Sequence, residues 1–249
     1  MANKNINLQN AKSSKDDEFY TRYEDIENEV MHYKISFANK TVLCNCDDPF
    51  ESNFCKFFLK NFNVLKLERL ICTSYASSKI IATELKNLNK KISNKNGYVL
   101  DVTKFTDMND EIPDSVINEF LRNAECIKKL NGKGDFQSTE CVEYLKESDI
   151  IVTNPPFSLF KEYCSAISLA VIISIIMMHK KKFLIIGNQN ALTYKEIFPL
   201  LKDDKVWTGY QFGEMKFKVP VSSKPRTTRY WVDENGQKWR SLGNAMWLT

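Results

Sequence analysis

Five short apolar runs set the limits on what this chain can fold into: "TVLCN" (41–45), "LERLICTSY" (67–75), "GYVLDVT" (97–103), "DIIVT" (149–153) and "KFLIIGNQ" (182–189). Each is the length of a strand and too continuously apolar to have one wet face. Helical patterns lie between them. "DPFESNFCKFFLKNF" (48–62) places Phe54, Phe57, Phe58 and Phe62 on one stripe, with Pro49 near its first turn. "SSKIIATELKNLNKKI" (77–92) opens on serines and closes on lysines, as caps and the macrodipole favour. "DSVINEFLRNAECIKKL" (114–130) and residues 163–179 supply two more helices. Strands alternating with helices predict βαβ units, hence an α/β fold with a doubly wound, mostly parallel sheet and a small basic C-terminal region. Such sheets bind ligands at the C-terminal ends of their strands. Asn45–Asp48, Asp101, Asn154–Phe157 and Asn188–Asn190 fall at those ends.

At 249 residues the chain is long enough for one large core. Residues 1–18 are polar, Lys/Asn-rich and free of an apolar leader, so they read as a disordered tail with no secretory signal. The seven cysteines are therefore expected reduced, in a cytoplasmic protein. The thiols and the two histidines, His32 and His179, lack ligand spacing, and no metal is expected. "AISLAVIISIIMM" (166–178) spans roughly 20 Å as a helix, too short to cross a bilayer, so no membrane partner is expected. Residues 201–249 hold nine Lys/Arg against five Asp/Glu, while the rest of the chain is neutral. That excess is interleaved with aromatics, in "KVWTGYQFGEMKFKVP" and "KPRTTRYWVDENGQKWR", which suits phosphates and bases as well as it suits a solvated β-rich subdomain.

"DIIVTNPPFSLF" (149–160) carries the most chemistry. Two prolines stop the strand ladder and fix the backbone just past Asn154. An aromatic amine such as adenine N6 is a poor nucleophile, because its lone pair is delocalised into the ring. Two acceptors aimed at its N–H bonds would localise that pair. The side-chain oxygen of Asn154 and the carbonyl of Pro155 can be those acceptors, held in place before the base arrives by Pro155 and Pro156. The ring of Phe157 can stack on the base and stabilise the charge that grows on methyl transfer. A duplex base reaches such a pocket only by flipping out.

These residues resemble the catalytic motif of S-adenosylmethionine-dependent N6-adenine DNA methyltransferases. "VLCNCDDPFESNFCKFF", "KFLIIGNQNALTYKEIFPL" and "GQKWRSLGNAMW" make the chain similar to the EcoRI-type adenine-specific family in particular, from about Phe19 to Thr249. The resemblance implies a Rossmann-like methyltransferase domain over 19–200 and a partial target-recognition region over 201–249, cut short at Thr249. It implies S-adenosyl-L-methionine as cofactor, double-stranded DNA as substrate and a cognate restriction endonuclease acting on the same site. Tyr20 and Thr21 would contact the methionine part of the donor. Asn45, Asp47 and Asp48 sit in the cofactor loop, with one of the two aspartates holding the donor's amino group and the other capping the next helix. Asp101 matches the residue that contacts the donor's adenine. Phe217 would pack on the flipped base, and Arg226, Arg229, Lys238 and Arg240 would contact phosphates or base edges. Two other readings stay open: an RNA or protein-glutamine methyltransferase, and an inactive remnant that binds DNA or donor.

Overall fold

The computed structural model describes residues 20–45, 47–76, 96–105, 112–123, 125–155, 164–219 and 229–249. The expected tail at 1–18 and helix at 77–92, and the site residues Pro156, Phe157 and Arg226, lie outside these residues. Of Asn123, Phe212 and residues 164–170, only the backbone element is described.

The chain begins its sheet with a two-residue strand, β1 (Tyr20–Thr21), then helix α1 (Tyr23–Val30) and a 3-10 segment Met31–Phe37. Next come β2 (Thr41–Asn45), α2 (Asn53–Lys60), β3 (Arg69–Ser74) and β4 (Tyr98–Val102). Helix α3 (Asp114–Asn123), β5 (Ile127–Lys129), α4 (Thr139–Glu147) and β6 (Ile150–Thr153) follow. Then come α5 (Cys164–Met178), β7 (Lys182–Asn188) and α6 (Phe198–Lys202). The described strands close with β8 (Thr208–Lys218), β9 (Tyr230–Val232) and β10 (Lys238–Leu248).

All ten described strands join one sheet in the order β1-β8-β10-β7-β6-β2-β3-β4-β5, with β9 paired to β10. Only β3, β2, β6 and β7 run parallel to one another. The expectation of a mostly parallel sheet is thus corrected to a mixed one, a parallel centre flanked by antiparallel strands. β4 returns antiparallel along β3, and β8 and β10 are antiparallel additions beyond β7. The predicted helix at 114–130 ends at Asn123, because Ile127 is buried as β5 pairs with β4.

Side chains alternate across the central strands, as a buried strand's pleat requires. Val42, Cys44, Leu70, Cys72, Val152, Leu184 and Ile186 point to one face, covered by α1, α2 and α3. Leu43, Ile71, Ile151, Phe183 and Ile185 point to the other, against α4, α5 and the segment 191–206. The phenylalanine stripe of α2 is buried as its spacing predicts, and Ser52 caps that helix by accepting from the N–H groups of Phe54 and Cys55. No described helix is long and apolar enough to cross a membrane.

β8 and β10 do not form a separate unit after residue 200. Ala245–Leu248 of β10 pairs with Asn188–Ile185 of β7, and Trp247 is fully buried against Phe54. The start of β8 is clamped by Glu29 of α1, fully buried, whose two oxygens accept from Tyr210 N and Gln211 N at 2.7 Å each. Gly209 makes room for that carboxylate: a Cβ there would collide with Glu29 Oε1 and with Trp247 Cβ. Gly209→Ala is therefore expected to cost about 1–3 kcal/mol of stability by overpacking, read as a lower urea midpoint with an unchanged m-value.

Candidate active site

The parallel strands β2, β6 and β7 all end at one edge, at Asn45, Thr153 and Asn188. Thr153 Oγ1 donates to the carbonyl of Asn45 at 2.5 Å, tying the ends of β2 and β6 together. Asp47 folds back into the gap just beyond. Its N–H bonds to Thr73 O at 2.9 Å, and its Oδ1 accepts from Ser52 Oγ at 2.8 Å. Its Oδ2 lies 3.4 Å from the Thr153 hydroxyl. Burial pushes the Asp47 carboxyl up to about 7, against the partial relief of the Ser52 and Thr153 hydroxyls. The predicted helix-capping role belongs to neither aspartate. Ser52 caps α2, while Asp48 Oδ1 accepts from Phe50 N within the turn that leads into it.

The N-terminal strand is held at this same edge. Tyr20 Oη donates to Glu51 Oε2 at 3.0 Å, and Asn53 Nδ2 donates to the carbonyl of Thr21 at 2.7 Å. Across the gap, Asn154 Nδ2 donates to Thr21 Oγ1 at 3.1 Å. That bond fixes the amide so that its buried oxygen turns away from Thr21. Pro155 follows, also buried. Tyr20, Thr21, Asn45, Asp47, Asp48, Asn154 and Pro155 thus come together at one edge, from three separate segments of the chain. The supporting partners Thr153, Ser52, Glu51 and Asn53 were not among the predicted site residues. Ser52, just before α2, carries a signal as its cap.

Two predicted residues do not belong to this site. Asp101 lies on antiparallel β4 opposite Ile71, near the edge where the parallel strands begin. There it grips Arg69 through two bonds of 2.7 and 2.8 Å, and Arg69 also reaches Glu147. The strand's reversal carries Asp101 away from the ligand edge and out of the cofactor set. Phe217 is fully buried in the core on the α1/α2 side of the sheet, so its ring is not available to a flipped base. Asn188, at the end of the fifth apolar run, caps the 3-10 segment Gln189–Thr193 through Asn190 N. Of the predicted DNA contacts, Lys238 and Arg240 lie half-buried on β10 and Arg229 is exposed just before β9, its guanidinium lying over Gly243.

The polar atoms at this edge fit the methionine end of the implied donor. Asn45 is 4% exposed, and its buried Oδ1 has no hydrogen-bond partner among the described residues. Beside it sits a carboxylate whose burial is uncompensated by any cation among the described residues. An orphaned acceptor and an acid lacking a counter-charge suit a ligand that brings an ammonium group.

The strand-end amide, the buried acid of the loop and the N-terminal strand form one polar site, and the match to a known family gives its class, the amino-group methyltransferases. Residues 7–249 match the model of the adenine-specific methyltransferase EcoRI family, and the chain belongs to that family. It is 40% identical over 244 residues to the Type II methyltransferase M.EcoRI of Escherichia coli, covering 97% of this chain and 67% of that protein. It is 34% identical over 243 residues to the Type II methyltransferase M.MgeORF184P of Mycoplasma genitalium, covering 96% and 63%. It is 32% identical over 243 residues to the Type II methyltransferase M.MpnI of Mycoplasma pneumoniae, covering 96% and 62%. The chain thus spans about two thirds of the length of these relatives. No solved structure matches it.

Thr21→Val keeps shape but removes the acceptor that orients Asn154. Methyl-transfer turnover is expected to fall about 2–10-fold, the worth of one net hydrogen bond, with Thr21→Ser restoring it. Steady-state kinetics on the two variants checks this. A rise in donor KM with turnover intact would show that Thr21 acts on the donor alone and does not orient Asn154.

Proposed function

We propose that this chain transfers a methyl group from S-adenosyl-L-methionine to adenine N6 at a specific site in double-stranded DNA, within a restriction–modification setting that includes a cognate endonuclease. The carrying observation is the Asn154–Thr21 bond at the C-terminal edge of β6, which orients the amide with its oxygen facing away from Thr21. Family membership supports the same chemistry. We place the protein in the cytoplasm, where its DNA substrate is. The parallel centre with helices on both faces supports a Rossmann-like, doubly wound core.

In this reading, Asn154 Oδ1 and the Pro155 carbonyl accept the two N–H bonds of a flipped adenine and localise its lone pair. Phe157, reached through Pro156, stacks on the base. The bound donor would supply a methyl group already activated on a sulfonium: its C–S bond would break to a neutral thioether as N6 takes the methyl, so no general acid is needed, and the surplus N6 proton would leave to solvent after transfer. Asp47 holds the donor's ammonium, and Asn45 Oδ1 accepts one of its N–H bonds. Tyr20 and Thr21 close the donor's methionine end. Expression in a methylation-free host, followed by sequencing for N6-methyladenine, tests the proposal directly. Absence of the mark, or tritium transfer to RNA or protein instead of DNA, would overturn it.

Asn154→Ala is expected to abolish transfer while calorimetry still finds donor binding within a few-fold of wild type. Asp47 gives a pH prediction. Its folded carboxyl titrates near 7, above its ordinary 3.8, so its protonated form binds no ammonium. Donor affinity should therefore rise from about pH 6 to about pH 8, and Asp47→Asn should bind weakly with no such rise. For the free protein the sign is opposite. The native state holds more protons between the two values, so the contribution of Asp47 to stability is greatest below about 4 and is lost as pH rises through 7. Urea titrations at several pH values should show that decline flattened in Asp47→Asn.

A further inference from the structure

β10 continues well past the end of β7. Its residues 245–248 pair with β7, whose last residue is Asn188, so residues 238–244 extend beyond the edge that holds Asn45 and Asn154. At a strand's rise per residue this overhang is about 20 Å long. β8 runs with it through Lys218, β9 covers its tip, and β1 flanks β8. The result is a β-ribbon that starts at the site and projects outward from it.

The register gives the ribbon two distinct faces. Thr21, Phe217, Arg240 and Tyr230 form one cross-strand row, on the side of the buried Phe217. Tyr20, Lys218, Trp239 and Trp231 form the next row, on the opposite face. On that second face the indoles of Trp231 and Trp239 stack nearly parallel, 10° apart with centroids at 6.3 Å. Lys218 Nζ lies 5.6 Å from the Trp239 ring, and Lys216 Nζ lies 5.9 Å from the Trp231 ring. Asp233 Oδ2 holds Trp239 by accepting from its indole N–H at 2.8 Å. Arg229, over Gly243, adds a third cation. Glu214, bonded to Ser241 Oγ, and Asp233 are the carboxylates that accompany them. Trp231 keeps 37% of its surface exposed, and Lys216 and Lys218 are exposed.

We infer that the ribbon face bearing Lys216, Lys218, Trp231 and Trp239 is a docking surface for the sugar–phosphate backbone of the DNA duplex that flanks the flipped base. This rests on the proposed DNA methylation and adds which surface carries the duplex. A base that enters at Asn154 draws its duplex against whatever stands out from that edge, and among the described residues the ribbon stands out there. About 20 Å of B-DNA is roughly six base pairs, so several phosphates pass within its reach. The stacked indoles space the two lysines rigidly and spare them the entropy of being ordered on binding. The contacts are to backbone, so they position the duplex and do not read its sequence.

The test uses the double variant Lys216→Gln/Lys218→Gln, which keeps both indoles. Anisotropy titrations of a labelled duplex, with donor present, are run at several salt concentrations. The slope of log affinity against log salt should become less negative by about two, one for each phosphate that the variant no longer neutralises. The weakening should be the same for cognate and unrelated duplexes. A tryptophan near-UV signal and a melting point equal to wild type show that the ribbon is intact. An unchanged slope with an intact ribbon overturns the inference. So does a variant that loses affinity for an RNA hairpin but not for the duplex. Methyl transfer by the wild type is measured in parallel. An unchanged slope in a chain that methylates DNA removes the ribbon alone, while a changed slope in a chain that does not methylate removes only the catalytic reading.

Discussion

The hydrogen bond between Asn154 and Thr21 joins residues 133 positions apart, and the rest of the arrangement exists to make it possible. A primary amide alone can rotate and present either end. Anchored through its nitrogen, it presents an acceptor. Thr21 can serve as anchor only because β1 is fixed on three sides, by β8 through the strand register, by Asn53 on its carbonyl and by Glu51 on its neighbour Tyr20. The mixed sheet follows from this requirement. A purely parallel sheet ending at β7 would have had no strand on which to lay the N-terminal segment.

The same edge holds an electrostatic arrangement that is costly without ligand. Asp47 is desolvated and partly satisfied by hydroxyls, and Asn45, two residues earlier, has a buried amide oxygen with no donor among the described residues. Buried polar groups left in that state oppose folding. The opposite edge is balanced by comparison, with Arg69 bridging Asp101 and Glu147, and with Asp149 Oδ2 accepting from the N–H of Thr41. One edge of the sheet is sealed by its own charges, and the other is left to be completed.

Much of this is legible in the residues. "TVLCN", "DIIVT" and "KFLIIGNQ" are strands at the expected places, and the α2 stripe is core. Strand direction is not legible, because an apolar run reads the same in either sense. That is why the expectation for Asp101 falls on the wrong edge. Phe217 carried a usable signal. In "GEMKFKV" Met215, Phe217 and Val219 alternate with Glu214, Lys216 and Lys218, a period of two that sends the ring inward and the lysines outward. Basic composition points to the right region, but only register shows which cations share a face with the indoles.

The placement of β10 between β7 and β8 also bears on how the molecule assembles. β1 and β8 reach the sheet only through β10, which runs to Leu248. On the ribosome, the first strand therefore cannot join the main sheet until synthesis has passed that residue. Contacts of such long sequence separation close slowly. A nascent or clipped chain could collapse its parallel centre and still have no oriented amide, so competence for chemistry arrives late and all at once.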